Sequence, residues 1–370
     1  MKYILGLVIL LASIFHTSAQ GPDKLSSGEI YQKLQKLNFL GTVLYVAAHP
    51  DDENTRLISY FSNAIHANTA YLSLTRGDGG QNLIGPEIRE MLGVMRTQEL
   101  LQARSIDGGK QFFTRANDFG YSKDPEETFD IWNKEEVMSD VIWTIRKFRP
   151  DIIVNRFDHR TPGRTHGHHT GSAMLSYEAF ELSGDPTKYS DQLKHVEAWQ
   201  PKRLFFNTSW WFYGSREKFL EADKSNLVSV DAGVYFPLIG KSNTEIAAEA
   251  RSMHKCQGFG SSGSRGTEYE YMEYLKGDRP AKMEDPFEGI NTTWSRVGNG
   301  ASIGTKIESI IENFNFEKPH LSTLALIEVR DMIEKLDDEY WKNLKLKEVD
   351  QIIQQTMGLF TEVSVRNPSA

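Results

Sequence analysis

A histidine and two aspartates stand close together in the segment Ala-Ala-His-Pro-Asp-Asp-Glu at positions 47–53, directly after the apolar run 43–46. The spacing lets His49 and Asp52 face one ion, while Asp51 between them faces whatever that ion binds. An imidazole nitrogen and a carboxylate oxygen suit Zn²⁺ with an open coordination position, the catalytic rather than the structural pattern. The alternative is a turn in which Asp51 or Asp52 caps a following helix. These residues alone leave both interpretations open.

A second cluster, His-Gly-His-His at 166–169, follows another apolar run at 151–155. Four of the ten histidines of the chain lie between His159 and His169. In an α/β sheet the carboxyl ends of the strands are where ligands bind, so both clusters stand where chemistry is usually found. Together the two clusters supply a complete set of three ligands, and this favours the metal site over the capping turn.

These motifs resemble the PIG-L / LmbE-like family of zinc-dependent de-N-acetylases, which remove acetyl groups from N-acetylglucosamine-type conjugates. The similar segments are Ala-His-Pro-Asp-Asp-Glu at 48–53, His-x-x-His at 166–169, the glycine-rich stretch 74–82, Arg-Thr-Gln-Glu-Leu at 96–100 and His-Lys-Cys-Gln-Gly at 254–258. The resemblance covers roughly residues 38–260. Many family members carry a carboxylate before the last histidine, where this chain has His168.

The resemblance implies one catalytic Zn²⁺, or Fe²⁺ or another divalent ion in its place, held by His49, Asp52 and His169. The His-x-x-His spacing would let His166 approach the same centre without binding the ion. We expect His168 to face solvent; the alternative is that His168 replaces His169 as the third ligand.

Asp51 is expected to act as the general base, because the turn holds it beside the water that the ion activates. His166 in its cationic form is expected to donate to the oxyanion that develops on the acetyl group. The alternative for His166 is a supporting role in which it orients His169.

Three further residues are candidates for substrate binding. Arg76 and Asp78 lie in the glycine-rich turn after the second apolar run and could reach substrate hydroxyls in the same crevice. A plain turn with a surface ion pair is the alternative. Trp211, within an aromatic cluster, suits stacking on a sugar ring, although such clusters are more often part of a core.

Apolar runs with strand character alternate with helical stretches, and this pattern predicts an α/β fold with a Rossmann-like, mostly parallel sheet and helices on both faces. The predicted strands are Val43–Ala47, Thr69–Leu74, Asp151–Asn155 and Arg203–Phe206, and two of the predicted helices are Glu87–Ser105 and Glu135–Phe148. The segment 260–286, rich in Gly, Ser and charge, is expected to be a loop. Beyond residue 300 the spacing predicts a C-terminal helical extension with helices at 303–314, 321–336 and 346–357, followed by a short strand at 361–365.

Residues 1–19 show the pattern of a cleaved secretory signal peptide: Lys2, an apolar run of about a dozen residues, and small residues before Gln20. Export without disulfides, given a single cysteine, favours a bacterial periplasm. No stable membrane anchor is expected. A formal net charge of −8 without a basic stripe argues against a nucleic-acid partner. Nothing in the sequence indicates an oligomeric state.

These observations divide the chain into a signal peptide at 1–19, a de-N-acetylase domain at 20–300, a helical segment at 301–358 and a tail at 359–370, the tail being the possible start of a β domain. The expected activity is hydrolysis of the N-acetyl group of an N-acetylglucosamine-type sugar or glycoconjugate. Two alternatives stay open: an amidase acting on a non-sugar or thiol-conjugate amide, and a non-catalytic, metal-dependent carbohydrate-binding protein.

Overall fold

The structure, a computed structural model, describes residues 24–360. The expected signal peptide at 1–19 and the expected strand at 361–365 lie outside these residues. Between residues 24 and 360, no helix is long and apolar enough to cross a membrane.

The described part of the chain contains a seven-stranded sheet in the order β3-β2-β1-β4-β5-β9-β6 and a small hairpin of β7 and β8. Strands β1 to β5 are parallel, whereas β9 runs antiparallel to both of its neighbours. The strands are β1 Thr42–Ala47, β2 Asn68–Ser73, β3 Lys110–Phe113, β4 Ile152–Asn155, β5 Arg203–Thr208, β6 Leu227–Asp231, β7 Tyr235–Phe236, β8 Lys241–Ser242 and β9 Tyr269–Gly277.

Helices cover both faces of the sheet and also form a separate layer beside it. They are α1 Ser27–Leu37, α2 Thr55–Ser59, α3 Arg89–Asp107, α4 Pro125–Trp132, α5 Lys134–Phe148, α6 Gly167–Leu182, α7 Arg216–Glu221, α8 Asn243–Arg251, α9 Ala301–Glu312, α10 Thr323–Glu334 and α11 Glu339–Met357. A π-helical turn, Tyr60–Ala64, continues α2.

Side chains of β1 alternate between two cores, as the period of two of a strand requires. Val43 and Tyr45 belong to a core that α2 and α3 cover. Leu44 and Val46 belong to the opposite core, which α5 and α6 cover. The predicted α/β class, with a mostly parallel sheet between two helical layers, is therefore confirmed.

The four predicted strands are all present, and each begins within one residue of its predicted start. The loop expected at 260–286 is wrong in part, because this segment contains β9. Glu270 and Met272 alternate there with partly exposed residues, so one face of β9 is buried between β5 and β6. The strand pattern is short, and the surrounding Gly, Ser and charged residues concealed it.

The C-terminal helices α9, α10 and α11 share a third core with the N-terminal helix α1. Leu34 and Leu37 of α1 are fully buried in it. The buried Lys345 ammonium of α11 donates hydrogen bonds to the backbone carbonyls of Lys36 (3.0 Å) and Phe39 (2.8 Å). The predicted C-terminal helical extension is present, and the helix nearest the start of the described chain packs with it.

Candidate metal centre and active site

The strand order reverses between β1 and β4, which are adjacent although β2 and β3 lie between them in sequence. Connections leave these two strands in opposite directions, so a crevice opens at their carboxyl ends, where ligands bind in doubly wound sheets. The turn with His49 and Asp52 follows β1, and the loop that leads to the 166–169 cluster follows β4. The topology therefore brings the two sequence motifs together.

The turn after β1 is closed by its own polar groups. The His49 backbone N–H donates to Asp52 Oδ2 (2.7 Å), and His49 Nδ1 lies 3.0 Å from the same oxygen. The Tyr71 hydroxyl of β2 donates to the His49 carbonyl. These bonds fix the backbone of the turn and aim the imidazole of His49 and the carboxylate of Asp52 at each other.

The N-terminal turn of α6 supplies the second histidine cluster. His169 Nε2 lies 3.4 Å from Asp52 Oδ1, the oxygen that does not contact His49. The His169 ring stacks on Phe157, with ring centroids 3.9 Å apart and an interplanar angle of 5°. Phe157 thus holds the His169 imidazole against the aspartate.

His49, Asp52 and His169 offer two imidazole nitrogens and one carboxylate oxygen, all within 4.8 Å of one another. Ring nitrogens of a second group, His49 with His166 and His168, also lie within 4.8 Å of one another, and this group shares His49 with the first. Nitrogen and oxygen donors gathered in this way fit Zn²⁺ or another borderline divalent ion. The first group is the ligand set that the sequence predicted.

The charge balance within this group also fits a cation site. Burial alone would raise the pKa of Asp52, but His169 and His49 outweigh it and hold that pKa well below its usual range. Burial would lower the pKa of His49, yet Asp52 outweighs it and raises that pKa. Asp52 therefore stays ionised and available as a ligand at neutral pH.

His166 lies beside the cluster but is not the cation that we expected. Its Nδ1 accepts the backbone N–H of His168 (3.1 Å), so the side chain caps α6, and its Nε2 lies 3.1 Å from the Gly120 carbonyl. Burial and the nearby His49 lower the pKa of His166 to about 4. The expectation of a cationic His166 is therefore wrong. In the neutral ring, Nδ1 accepts from the His168 N–H and Nε2 donates to the Gly120 carbonyl.

His168 does not face solvent, and that expectation is also wrong. Its side chain is fully buried between the rings of Phe119 and Trp132, with centroids 4.5 Å and 4.7 Å away. Its Nδ1 lies 2.9 Å from His49 Nε2. His168 shares one buried stripe of α6 with Ser172 and Leu175, at helical spacing, and this stripe carries it inward.

Asp51 lies next to the cluster and is held by a buried arginine. Arg96 Nη2 of α3 lies 2.8 Å from Asp51 Oδ1, and Arg96 Nη1 donates to the Gly77 carbonyl (3.2 Å). A Cβ at Gly77 or Gly80 would lie 2.5 or 2.4 Å from Arg96 Nη1, so the glycine-rich turn leaves room for this guanidinium. Sequence reasoning gave Arg96 no role.

Glu53 connects the turn after β1 to other segments through buried contacts. The fully buried Glu53 Oε1 lies 2.7 Å from His254 Nε2 and 3.3 Å from Arg104 Nη2. Burial would raise the pKa of Glu53, but His254 and Arg104 outweigh it and lower that pKa. His254 thus has a structural contact, and the contact with Arg104 joins the turn to α3.

A polar cavity of about 680 Å³ opens beside Asp51, Asp52 and His169. Its far walls come from the end of β5, from α8 and from the segment 259–264. Arg156, directly after β4, lines this cavity, and its guanidinium has no hydrogen bond or ion pair with any residue in the range 24–360. A charged residue directly after a buried strand was the signal that could have identified it.

The three predicted substrate-binding residues lie apart from this cavity. Arg76 and Asp78 line a separate cavity of about 520 Å³, and the Arg76 guanidinium lies over the ring of Phe113. Trp211 is half exposed and packs edge-on against Phe212, whereas its neighbour Trp210 lines the cavity beside His169. The structure therefore brings the three predicted ligands and Asp51 together and places the predicted substrate residues elsewhere.

Several solved structures align with part of this chain. The N,N'-diacetylchitobiose deacetylase from Pyrococcus horikoshii aligns with 58% of this chain and 70% of its own length, at 16% identity and a TM-score of 0.41. The 4-carboxy-2-hydroxymuconate hydratase GalB from Pseudomonas putida aligns with 66% of this chain and 99% of its own length, at 11% identity and a TM-score of 0.43. A triple mutant of a deacetylase of the teicoplanin biosynthetic pathway aligns with 64% of this chain and 100% of its own length, at 12% identity and a TM-score of 0.37. TM-scores this low carry no argument about fold or activity.

No curated protein matches the chain in sequence. A family model does: the PIG-L model, described as GlcNAc-PI de-N-acetylase, matches residues 44–180. This segment runs from β1 through most of α6 and so contains both histidine motifs of the metal centre. This match, over 137 of the 370 residues, relates the metal-centre region of the chain to that family.

Proposed function

We propose that this protein is a Zn²⁺-dependent hydrolase that removes the N-acetyl group from an N-acetylglucosamine-type sugar or glycoconjugate. The match of residues 44–180 to the PIG-L model supports a hydrolytic deacetylase. The observation that carries the proposal is the convergence of His49, Asp52 and His169 beside Asp51, at the mouth of a polar cavity. Secretion is also proposed, supported by the sequence pattern of residues 1–19.

A divalent ion bound by His49, Asp52 and His169 would polarise the acetyl carbonyl and make a nearby water more acidic. Asp51 would accept the proton of that water, because its carboxylate belongs to the same turn as the ligands His49 and Asp52. Arg96 bonds to one Asp51 oxygen and so fixes the orientation of the carboxylate. After cleavage, Asp51 can return the proton to the departing amine of the sugar.

The cavity is suited to a hydroxylated substrate. Its walls include Arg156, Ser209 and the carboxylates of Asp51 and Asp52. Trp210 offers a ring face at the rim, on which a sugar ring can stack. Donors, acceptors and one aromatic surface together match the chemistry of a pyranose.

The test is acetate release by protein reconstituted with Zn²⁺, and in parallel with Fe²⁺. The substrates are N-acetylglucosamine and its glycosides, set against N-acetylcysteine and N-acetyl-lysine amide as non-sugar amides. We expect metal-dependent acetate release from the sugars. His49→Ala and Asp52→Ala should each lose the ion by elemental analysis and lose activity, whereas replacement of the exposed His195 by alanine should change neither.

Two outcomes would contradict the proposal. Acetate released only from the non-sugar amides would identify an amidase of another substrate class. Saturable sugar binding with full metal content and no acetate from any substrate would identify a carbohydrate-binding protein.

A further inference from the structure

A second cavity, of about 880 Å³, lies near the amino-terminal ends of the strands, whereas the metal centre lies at their carboxyl ends. It is lined by α1 and α11 on one side and by the amino-terminal ends of β2 and β3 on the other. Six basic side chains line it: Lys33, Lys36, His66, Lys110, Lys241 and Lys347. No residue lines both this cavity and the one beside the metal centre.

The carboxylates that line this cavity are bonded to other groups. Glu249 pairs with Lys241 at 2.8 Å, and Glu348 Oε2 accepts from Lys345 at 2.8 Å. Glu29 accepts from the backbone N–H and the hydroxyl of Ser26 in the capping box of α1.

Three lysines remain in excess. Lys36, Lys110 and Lys347 have no ion pair with any carboxylate between residues 24 and 360, and Lys36 Nζ donates to the Ser62 carbonyl at 3.5 Å. A cavity with committed carboxylates and three unpaired ammonium groups carries an excess of positive charge.

The charges around two groups of the cavity agree with this excess. Burial lowers the pKa of Lys36 to about 8; Glu348 opposes the lowering, and Lys110, Lys33 and Lys345 add to it. Burial, followed by the charges of Lys36 and Lys345, lowers the pKa of His66 to about 4. The lysine charges therefore act against a further proton on these two groups, and a bound anion would offset them.

The remaining wall is apolar. Leu238, Ile239 and Ile246 line it from the hairpin and α8, and Leu344 and Ile352 line it from α11. One wall can therefore cover a hydrocarbon group while the lysines face a negative head group.

We propose that this cavity binds a small amphiphilic organic anion, with its carboxylate or phosphate at Lys36, Lys110 and Lys347 and its apolar portion against the aliphatic wall. Charge-assisted hydrogen bonds from ammonium groups are the interactions that hold such a head group. The hydrocarbon portion adds binding through the apolar area that it removes from water.

The experiment is isothermal titration of the intact protein with octanoate and with octyltrimethylammonium, which have the same chain length and opposite charge. We expect saturable binding of octanoate at one site and at least about tenfold weaker binding of the cation. Lys36→Gln combined with Lys110→Gln should weaken octanoate binding by about tenfold or more, since each ammonium lost removes a charged hydrogen bond. Lys218→Gln, at an exposed lysine outside the cavity, should leave binding unchanged.

Lys36 is partly buried, so its replacement could disturb folding, and a rim variant guards against this. Lys347→Glu reverses a charge at an exposed position and should weaken octanoate binding while thermal unfolding stays unchanged. Equal octanoate affinity in the wild type and Lys347→Glu would overturn the proposal, as would equal affinity for the two amphiphiles. Inorganic phosphate that binds as tightly as octanoate would overturn the role of the apolar wall.

Discussion

Replacing Asp51 by asparagine should abolish most turnover while the ion and the fold are retained. Asparagine is nearly isosteric and can still accept a hydrogen bond from Arg96, but it cannot accept a proton from water. A positioned general base contributes roughly 10²–10⁴-fold in rate. At about 1.4 kcal/mol per factor of ten, this loss corresponds to a barrier higher by about 2.7–5.5 kcal/mol.

The expected effect on stability is smaller than the effect on rate. Arg96 is 4% exposed and Asp51 is 20% exposed, so only one partner of the pair is fully removed from water. Breaking a fully buried ion pair costs roughly 3–5 kcal/mol. The loss in unfolding free energy for Asp51→Asn should fall below that range. The Arg96 guanidinium can still donate hydrogen bonds to the asparagine oxygen and to the Gly77 carbonyl.

A companion variant tests whether Arg96 acts through Asp51. Arg96→Met keeps the carboxylate but frees its orientation, and misplacement of a reacting group by about 1 Å can cost roughly 10² in rate. If Arg96 has no other part in the reaction, the double variant Asp51→Asn with Arg96→Met should be no slower than Asp51→Asn alone.

The assay is acetate release under kcat/KM conditions as a function of pH, with metal content and thermal unfolding measured on every variant. The acidic limb of the profile should disappear in Asp51→Asn. A rate loss below tenfold, or an unchanged profile, would show that Asp51 is only a capping residue of the turn. Rate losses that multiply in the double variant would show that Arg96 has an independent role.

Four further variants test other parts of the site. His169→Ala should lose most of the bound ion by elemental analysis, whereas His166→Asn, which keeps a capping oxygen for α6, should retain the ion and lower kcat; the reverse pattern would exchange their roles. Glu53→Gln should lower the unfolding free energy at pH 7 by about 3–5 kcal/mol in denaturant titrations. Because the pKa of folded Glu53 is lowered, its stabilisation is full above the ordinary glutamate pKa of about 4.3 and is lost as pH falls through the folded pKa, so the variant should show a flatter acid limb; an unchanged limb would contradict this. Arg156→Gln should raise KM more than it lowers kcat, and an unchanged KM would remove Arg156 from substrate binding.

The sequence predicted those parts of the site that depend on local order. His49 and Asp52 share one turn, and that turn follows a buried strand, so the ligand pair could be read from spacing. The approach of the 166–169 cluster followed from a rule about strand ends that holds across doubly wound sheets. These two inferences needed only the neighbouring residues and the α/β class, whereas the choice of His169 within the cluster came from the family resemblance.

The remaining parts depend on contacts between distant segments, which spacing does not encode. The glycine-rich turn was interpreted through Arg76 and Asp78, but its glycines make room for Arg96, which approaches from a different helix. A partial signal existed, because Arg96 lies four residues from both Leu92 and Leu100 on the buried face of α3. A charged residue in an apolar stripe requires a buried partner, yet the stripe does not say which partner.

The burial and hydrogen bonding of the histidines also could not be predicted from the sequence. His166 and His168 differ in burial and in hydrogen bonding because α6 begins between them, so that one caps the helix and the other enters the core. The sequence analysis placed no helix start at this cluster, so it could not separate the two environments.

Because α1 packs against α11, the third core can be completed only near the end of synthesis. Lys36 and Lys345, which are joined by a hydrogen bond, are 309 residues apart in the chain. At about 5–20 residues per second, the ribosome needs roughly 15–60 s to make the intervening chain. For most of that interval, until α9 is made, Ile30, Leu34 and Leu37 lack the helices that cover them in the folded protein and present an apolar face on the nascent chain. Chaperones that hold exposed apolar segments should therefore engage α1 early, and chains that stop before α11 should aggregate through this face.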